Sequence, residues 1–131
     1  LQESGMAESK RQWFIDQFEP EGRGVGFAVL GGAFAEGIDL PGSRLIGAFV
    51  ATLGLPPVDP VQEATRRRIE AEWRGRGYDY ACLVPGVRKV VQAAGRVIRG
   101  EGDEGVLYLI DDRFAAVRAK GLLPGWWATH A

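Results

Sequence analysis

Gln92-Ala93-Ala94-Gly95-Arg96-Val97-Ile98-Arg99 is the stretch on which the reading of this chain turns. The pattern predicts a helix over Pro85 to Arg99. At about 100° per residue, Arg88, Gln92, Gly95, Arg96 and Arg99 share one stripe. Val87, Val90, Val91, Ala94, Val97 and Ile98 fill the opposite arc, as in a helix facing a core. An arginine presents a planar fork that meets two phosphate oxygens at once. A glycine lets another surface come close. The stripe therefore suits a phosphate brought by a partner surface. A solvated charged face is the ordinary alternative, because charged stripes are common on helices.

Working outward, short apolar runs alternate with helical patterns. Ala7 to Phe18 reads as an amphipathic helix, and the turn residues Glu19 to Gly24 break it. Val25–Leu30, Leu45–Leu53 and Val106–Ile110 read as buried strands. Leu55 to Pro60 is a proline-rich linker. Val61 to Trp73 follows as a helix, with Asp59 as N-cap and Pro60 at its first position. Tyr78 to Val84 fits a strand or an ordered loop. Asp111 or Asp112 caps a last helix ending near Lys120, and the tail closes with Pro124-Gly125-Trp126-Trp127. This alternation predicts an α/β fold, a mostly parallel sheet flanked by helices. Three strands are few for such a sheet. Part of it is expected outside the chain, on the N-terminal side, and an open edge invites weak self-association.

Composition bounds the function classes. The 131 residues suit one domain, and 46% hydrophobic with 25% charged residues is ordinary for a globular protein. The formal net charge of −1 argues against a general attraction for polyanions but leaves room for local basic patches. Cys82 stands alone, so neither an internal disulfide nor a cysteine-based metal site is expected. No apolar run approaches the ~20 residues of a membrane helix. A cytoplasmic setting and no membrane partner follow as expectations. The chain begins Leu1-Gln2-Glu3 without an initiator methionine, and is expected to be a fragment of a longer one.

A second segment carries chemistry. Gly31-Gly32-Ala33-Phe34-Ala35-Glu36-Gly37-Ile38-Asp39-Leu40-Pro41-Gly42 follows the first expected strand, where open α/β sheets bind ligands. Its glycines admit close backbone approach, and Glu36 and Asp39 suit a ribose, a metal-bound water or a basic partner. A glycine-rich turn is the plain alternative.

Gly32-x-x-x-Glu36-Gly37-x-Asp39, the Leu55-Pro56 linker and Gln92-x-x-Gly95-Arg96-x-x-Arg99 together resemble motifs V and VI of superfamily 2 helicases of the DinG/XPD type. Asp111-Asp112-Arg113 and Leu123 to Trp127 are similar too, so the resemblance runs from about Gln12 to Trp127. It implies the second RecA-like lobe of an ATP-dependent DNA helicase, a P-loop-NTPase-like fold without its own P-loop. On that resemblance Arg99 is the arginine finger, Arg96 its neighbour, and Gln92 orients them or contacts the nucleotide. Glu36, Gly37, Asp39 and Gly95 lie at the nucleotide, with Glu36 and Asp39 coupling the cleft to the DNA-facing side. ATP and Mg²⁺ would be held mainly by a first lobe, with no metal on this chain. Single-stranded DNA and the N-terminal RecA-like lobe of the same parent chain are the implied partners.

Several features weigh against over-reading. No G-x-x-x-x-G-K-[ST] loop occurs, so the chain alone is expected to be inactive. Gly100 to Gly105 spells G-x-G-x-x-G but precedes a strand, and reads as a turn. Arg66-Arg67-Arg68 with Arg74 and Arg76 fits a DNA backbone or, given the interleaved Glu63, Glu70 and Glu72, a salt-bridged solvated face. Trp126 and Trp127 fit stacking on bases or anchoring of the tail. Two rival functions remain. One is a stand-alone nucleotide-binding or phosphotransfer domain, which lacks a phosphate loop and a nucleophile with its base. The other is a non-catalytic nucleic-acid or protein interaction module with a helicase-like α/β fold.

Overall fold

Pro85 cannot donate a backbone hydrogen bond, and that shapes the middle of the chain. The carbonyl of Ala81, left free by this missing donor, accepts instead from the Gln62 side-chain amide. Upstream, the Val84 amide reaches back five residues to the Asp79 carbonyl. The result is a single π-helical turn, Asp79–Leu83, running into the helix Val84–Ala94. The segment expected as a strand or ordered loop is therefore helical.

The computed structural model describes residues 6–32, 40–98 and 102–128. Its helices are α1 (Glu8–Asp16), α2 (Pro60–Glu72), α3 (Val84–Ala94) and the short α4 (Val117–Lys120). Strands β1 (Gly47–Val50) and β2 (Val106–Leu109) pair in a two-stranded sheet. The Val106 amide bonds to Ile46 and the Ile110 amide to Val50, so partners advance together and the ladder is parallel. The architecture is α/β, as the alternation implied. The strands are shorter than the expected Leu45–Leu53 and Val106–Ile110.

Two compact units divide the chain. The first takes the described residues up to Phe49, with those of Gln92–Tyr108. Here Phe14 and Leu40 are buried among Met6, Ile15, Phe18 and Leu45. The end of α1 is held by Arg44, whose guanidinium donates to the carbonyls of Phe18 (2.6 Å) and Ile15 (3.3 Å), a cation at the negative end of a helix. Val25–Leu30, expected as a strand, forms none. Val25, Phe27 and Val29 are exposed, and among the described residues no strand pairs with this segment. Phe49 and Tyr108 stack at 4.7 Å between ring centres, yet both stay exposed.

The second unit takes Val50–Val91 and the described residues from Leu109 on. Asp59 caps α2 by accepting from the Gln62 amide (2.8 Å), with Pro60 at the first helical position, as the sequence predicted. Beyond α2 the chain turns at Gly75, in the left-handed region at φ 76°. The Glu70 carboxylate closes this turn by accepting from the amides of Gly75 (2.6 Å) and Gly77 (2.9 Å). No helix among the described residues is long and apolar enough to cross a membrane.

Gly77 has no room for a side chain. A Cβ there would lie 2.7 Å from the Arg66 carbonyl oxygen and 2.9 Å from Glu70 Cβ. Gly77→Ala should cost about 1–3 kcal/mol, the range for overpacking. Gly24→Ala, with nothing within 4 Å, is the control and should leave the melting temperature nearly unchanged.

Candidate nucleotide-facing site

The helix that carries the octet is fixed by its apolar side. Val87 and Ala94 are 1% exposed and Val90 is fully buried. That burial turns Arg88 and Gln92 outward, and both are exposed. The expected helix over Pro85 to Arg99 is shorter in the structure and stops at Ala94. Gly95 is a poor helix former, and the chain leaves through a tighter turn. The Arg96 amide bonds to Ala93, and those of Val97 and Ile98 to Ala94. The stripe is thus carried in two parts. Arg88 and Gln92 sit on α3, while Gly95, exposed, and Arg96, half-buried, sit on the turn after it. Arg99 lies outside the described residues.

Val97 is buried, and the turn comes close to the start of β2. A Cβ on Gly105 would fall 2.4 Å from Val97 Cγ1, so the chain must be glycine at that point of approach. In the other motif, Gly31 takes a left-handed conformation at φ 78°, and the Gly32 amide bonds to Val29. Glu36, Gly37 and Asp39 lie outside the described residues.

One polar group was only half legible. Thr52 and Asp111 each follow the carboxyl end of a strand, the end at which open α/β sheets present their ligand-binding residues. The Thr52 hydroxyl lies 3.3 Å from an Asp111 oxygen. Arg113 donates from its backbone amide (3.0 Å) and Nε (2.8 Å) to Asp111, and from Nη2 to Asp111 and Thr52. The sequence offered Asp111 or Asp112 as the cap of a last helix; Asp111 is the cap, and the expected helix is a 3₁₀ turn, Asp112–Ala115, followed by the separate short α4. Its second role, holding the Arg113 guanidinium beside Thr52, was signalled only by its place at a strand end. The guanidinium holds the Asp111 carboxyl well below the usual carboxylate range, and the carboxylate raises the arginine in return.

On α2, Glu63 accepts from Arg66 Nε and Nη2 and from Arg67 Nε, all at 2.8 Å. These bonds lower its pKa from 4.5 to about 2. Glu70 is lowered by the two glycine amides it accepts from. The salt-bridged alternative for this run is thus present in part, since Arg66 and Arg67 are tied to Glu63. Trp126 is exposed, Trp127 is half-buried, and the two rings pack edge to face. Among the described residues, no group of three His, Cys, Asp or Glu side chains is placed to hold a metal ion.

The described residues thus form an α/β fold with a parallel ladder, with a Gln-x-x-Gly-Arg segment at the end of a helix whose other face is buried. The chain belongs to the helicase C-terminal domain family, which it matches over residues 1–130. It is 33% identical to a probable ATP-dependent helicase of Methanocaldococcus jannaschii, across 92% of this chain and 20% of that protein. It is 33% identical to the general transcription and DNA repair factor IIH helicase subunit XPD of Arabidopsis thaliana, across 83% of this chain and 14% of the relative. Regulator of telomere elongation helicase 1 of Mus musculus is 35% identical, across 82% and 10%. The chain spans a fifth or less of the length of these relatives. The family agrees with the DinG/XPD-type resemblance of the two motifs.

The lowered carboxylates set an acid limit. A carboxylate whose pKa is depressed on folding stabilises fully above its ordinary range, near 4.5 for Glu63, and the contribution fades as pH falls through the depressed value of about 2. Thermal melts followed from about pH 5 down to about pH 2 should show a falling midpoint. Arg113→Ala, which removes the partner of Asp111, should make that fall shallower.

Proposed function

We propose that this chain is the second motor lobe of an ATP-dependent DNA helicase. In this reading it supplies arginines to ATP bound in the cleft between two lobes and couples hydrolysis to movement along single-stranded DNA. The observation that carries the reading is the Gln92-x-x-Gly95-Arg96-x-x-Arg99 segment, leaving a helix whose opposite face is buried, in a chain of the helicase C-terminal domain family. The relatives' names support it, since they are called ATP-dependent helicase and helicase subunit.

Each residue has a task in this reading. Arg99 reaches the γ-phosphate, where negative charge spreads over the transferring group. A guanidinium there acts mostly on the transition state. Arg96, half-buried on the turn, steadies the approach or meets a carboxylate of the other lobe. Gln92 orients the pair, and Gly95 keeps the face thin enough for the nucleotide to come close. Glu36, Gly37 and Asp39 line the nucleotide side of the cleft and pass its closure to the DNA side. Mg²⁺, held mainly by the first lobe, would supply positive charge that offsets the phosphates. This chain lacks a phosphate-cradling loop and should turn over no ATP by itself. Exposed Phe49 and Tyr108 on the sheet fit weak self-association when the lobe is isolated.

In the full-length protein, Arg99→Ala should lower kcat for ATP on the order of 10³-fold, with much smaller effects on nucleotide and single-stranded DNA binding. Arg99→Lys should rescue poorly, because it keeps charge but loses the fork. Arg96→Ala should also slow turnover. Arg88→Ala, a turn or more away on α3, is the control and should be mild. Steady-state ATP hydrolysis with and without DNA reads all four. A parental rate in Arg99→Ala would return the segment to an ordinary solvated face and favour the non-catalytic module.

A further inference from the structure

We propose that the outer face of α2, with the turn that follows it, is a track for single-stranded nucleic acid. Arg67 and Arg74 would meet the phosphates, and Trp73 would stack on a base. The proposal rests on the helicase reading for its choice of polyanion. Its residues are separate from the Gln92–Arg99 segment.

Three observations carry it. First, Arg66, Arg67, Glu70, Ala71 and Arg74 line one shallow concavity of about 380 Å³. Second, the acids of this region are largely engaged within the protein. Glu70 is occupied by the amides of Gly75 and Gly77. Asp79 is buried, with Arg76 at 3.6 Å. Glu63 takes both Nε and Nη2 of Arg66, but only Nε of Arg67 in its hydrogen bonds. Arg67 is 75% exposed and keeps its two terminal nitrogens for a ligand. Glu72 is the acid that remains exposed. Third, Trp73 and Tyr80 are each 53% exposed, their ring centres 6.3 Å apart and edge to face. The edge-to-face pairing steadies the indole while half its surface stays open.

Arg67 and Arg74 line the concavity, Trp73 adjoins Arg74 in the chain, and guanidinium forks together with an exposed aromatic platform suit a single strand. Phosphates meet the arginines, and unpaired bases offer π-faces that stack without regard to sequence. An acidic polypeptide would use the arginines and leave the tryptophan idle.

The test uses the full-length protein without nucleotide, so the ATP site does not enter the readout. Binding of a fluorescently labelled oligo-dT strand is followed by anisotropy across a salt series. Arg67→Ala combined with Arg74→Ala should weaken binding and reduce the salt slope by about 1.4, at ~0.7 per lost phosphate contact. Trp73→Ala should weaken binding about tenfold with the slope unchanged, and Trp73→Phe should recover most of it. Glu63→Gln, which releases Arg66 and Arg67, should tighten binding. Matched melting temperatures keep folding out of the comparison, and the Phe and Gln variants are mild enough to decide the matter if an Ala variant unfolds. Unchanged affinity in the Arg and Trp variants overturns the track. So does competition by polyglutamate as effective as by unlabelled oligo-dT, which would make the face a protein-docking surface. Either failure leaves the Arg99 kinetics untouched, and a failure of Arg99 to matter leaves this binding result standing.

Discussion

Burial of one face of α3 is the constraint on which the rest hangs. Val87, Val90 and Ala94 are withdrawn from water almost completely. Burying a valine side chain is worth about 1.5–3 kcal/mol, so this face has one acceptable orientation. Everything polar on the helix is then directed by exclusion. Arg88 and Gln92 face out because the valines face in. The turn that carries Gly95 and Arg96 begins where that orientation has been set. A long side chain loses entropy when it is held, so a rigid base beneath it lowers the cost of fixing it.

The entry to α3 depends on a second, smaller accommodation. Pro85 removes a donor at the point where a helix would need one, and the π turn with the Gln62 amide absorbs the deficit. Gln62 belongs to α2, and its own backbone amide is the one that Asp59 caps. One residue therefore links the start of α2 to the start of α3. Gly86 lets the linker lie against the helix, because a Cβ there would meet Leu55 Cδ2 at 2.9 Å. Local choices of proline, glycine and glutamine thus agree on one arrangement, which is the consistency a foldable sequence shows.

What was legible in the sequence follows from this. The cap at Asp59, the first-turn proline, the core side of α3 and the parallel α/β alternation are all written in local pattern, and local pattern decides them. The strand at Val25–Leu30 was not decided locally. Its apolar run meets the preference for a buried strand, but a strand is completed by neighbours, and among the described residues the sheet pairs only β1 with β2. Helix length failed for a related reason. The 3.6-residue period of the apolar positions continues past Ala94 to Val97 and Ile98, and both are at least half-buried, yet the backbone has already tightened at Gly95. Periodicity records which side chains go inward and says less about the hydrogen bonds that carry them. The octet could be singled out because its residue types are unusual together. The Thr52–Asp111–Arg113 group was legible only in part, because Asp111 and Arg113 are near neighbours in the chain while Thr52 meets them only where the two strands end side by side.

Several of the described arginines differ in how they are held, and the difference bears on function. Arg44, Arg66 and Arg113 are each tied by two or more hydrogen bonds to groups of the chain itself. A guanidinium so engaged has little left for a ligand, and its charge is already matched. Arg67 is joined to Glu63 by one nitrogen and is mostly exposed, and Arg88 stands outward on α3. Free forks are costly to hold in place unless something beyond the chain repays the ordering, which polyphosphates do through bidentate contacts and release of counterions. A lobe that ties some arginines internally and leaves others on rigid helices is suited to act on a polyanion presented to it.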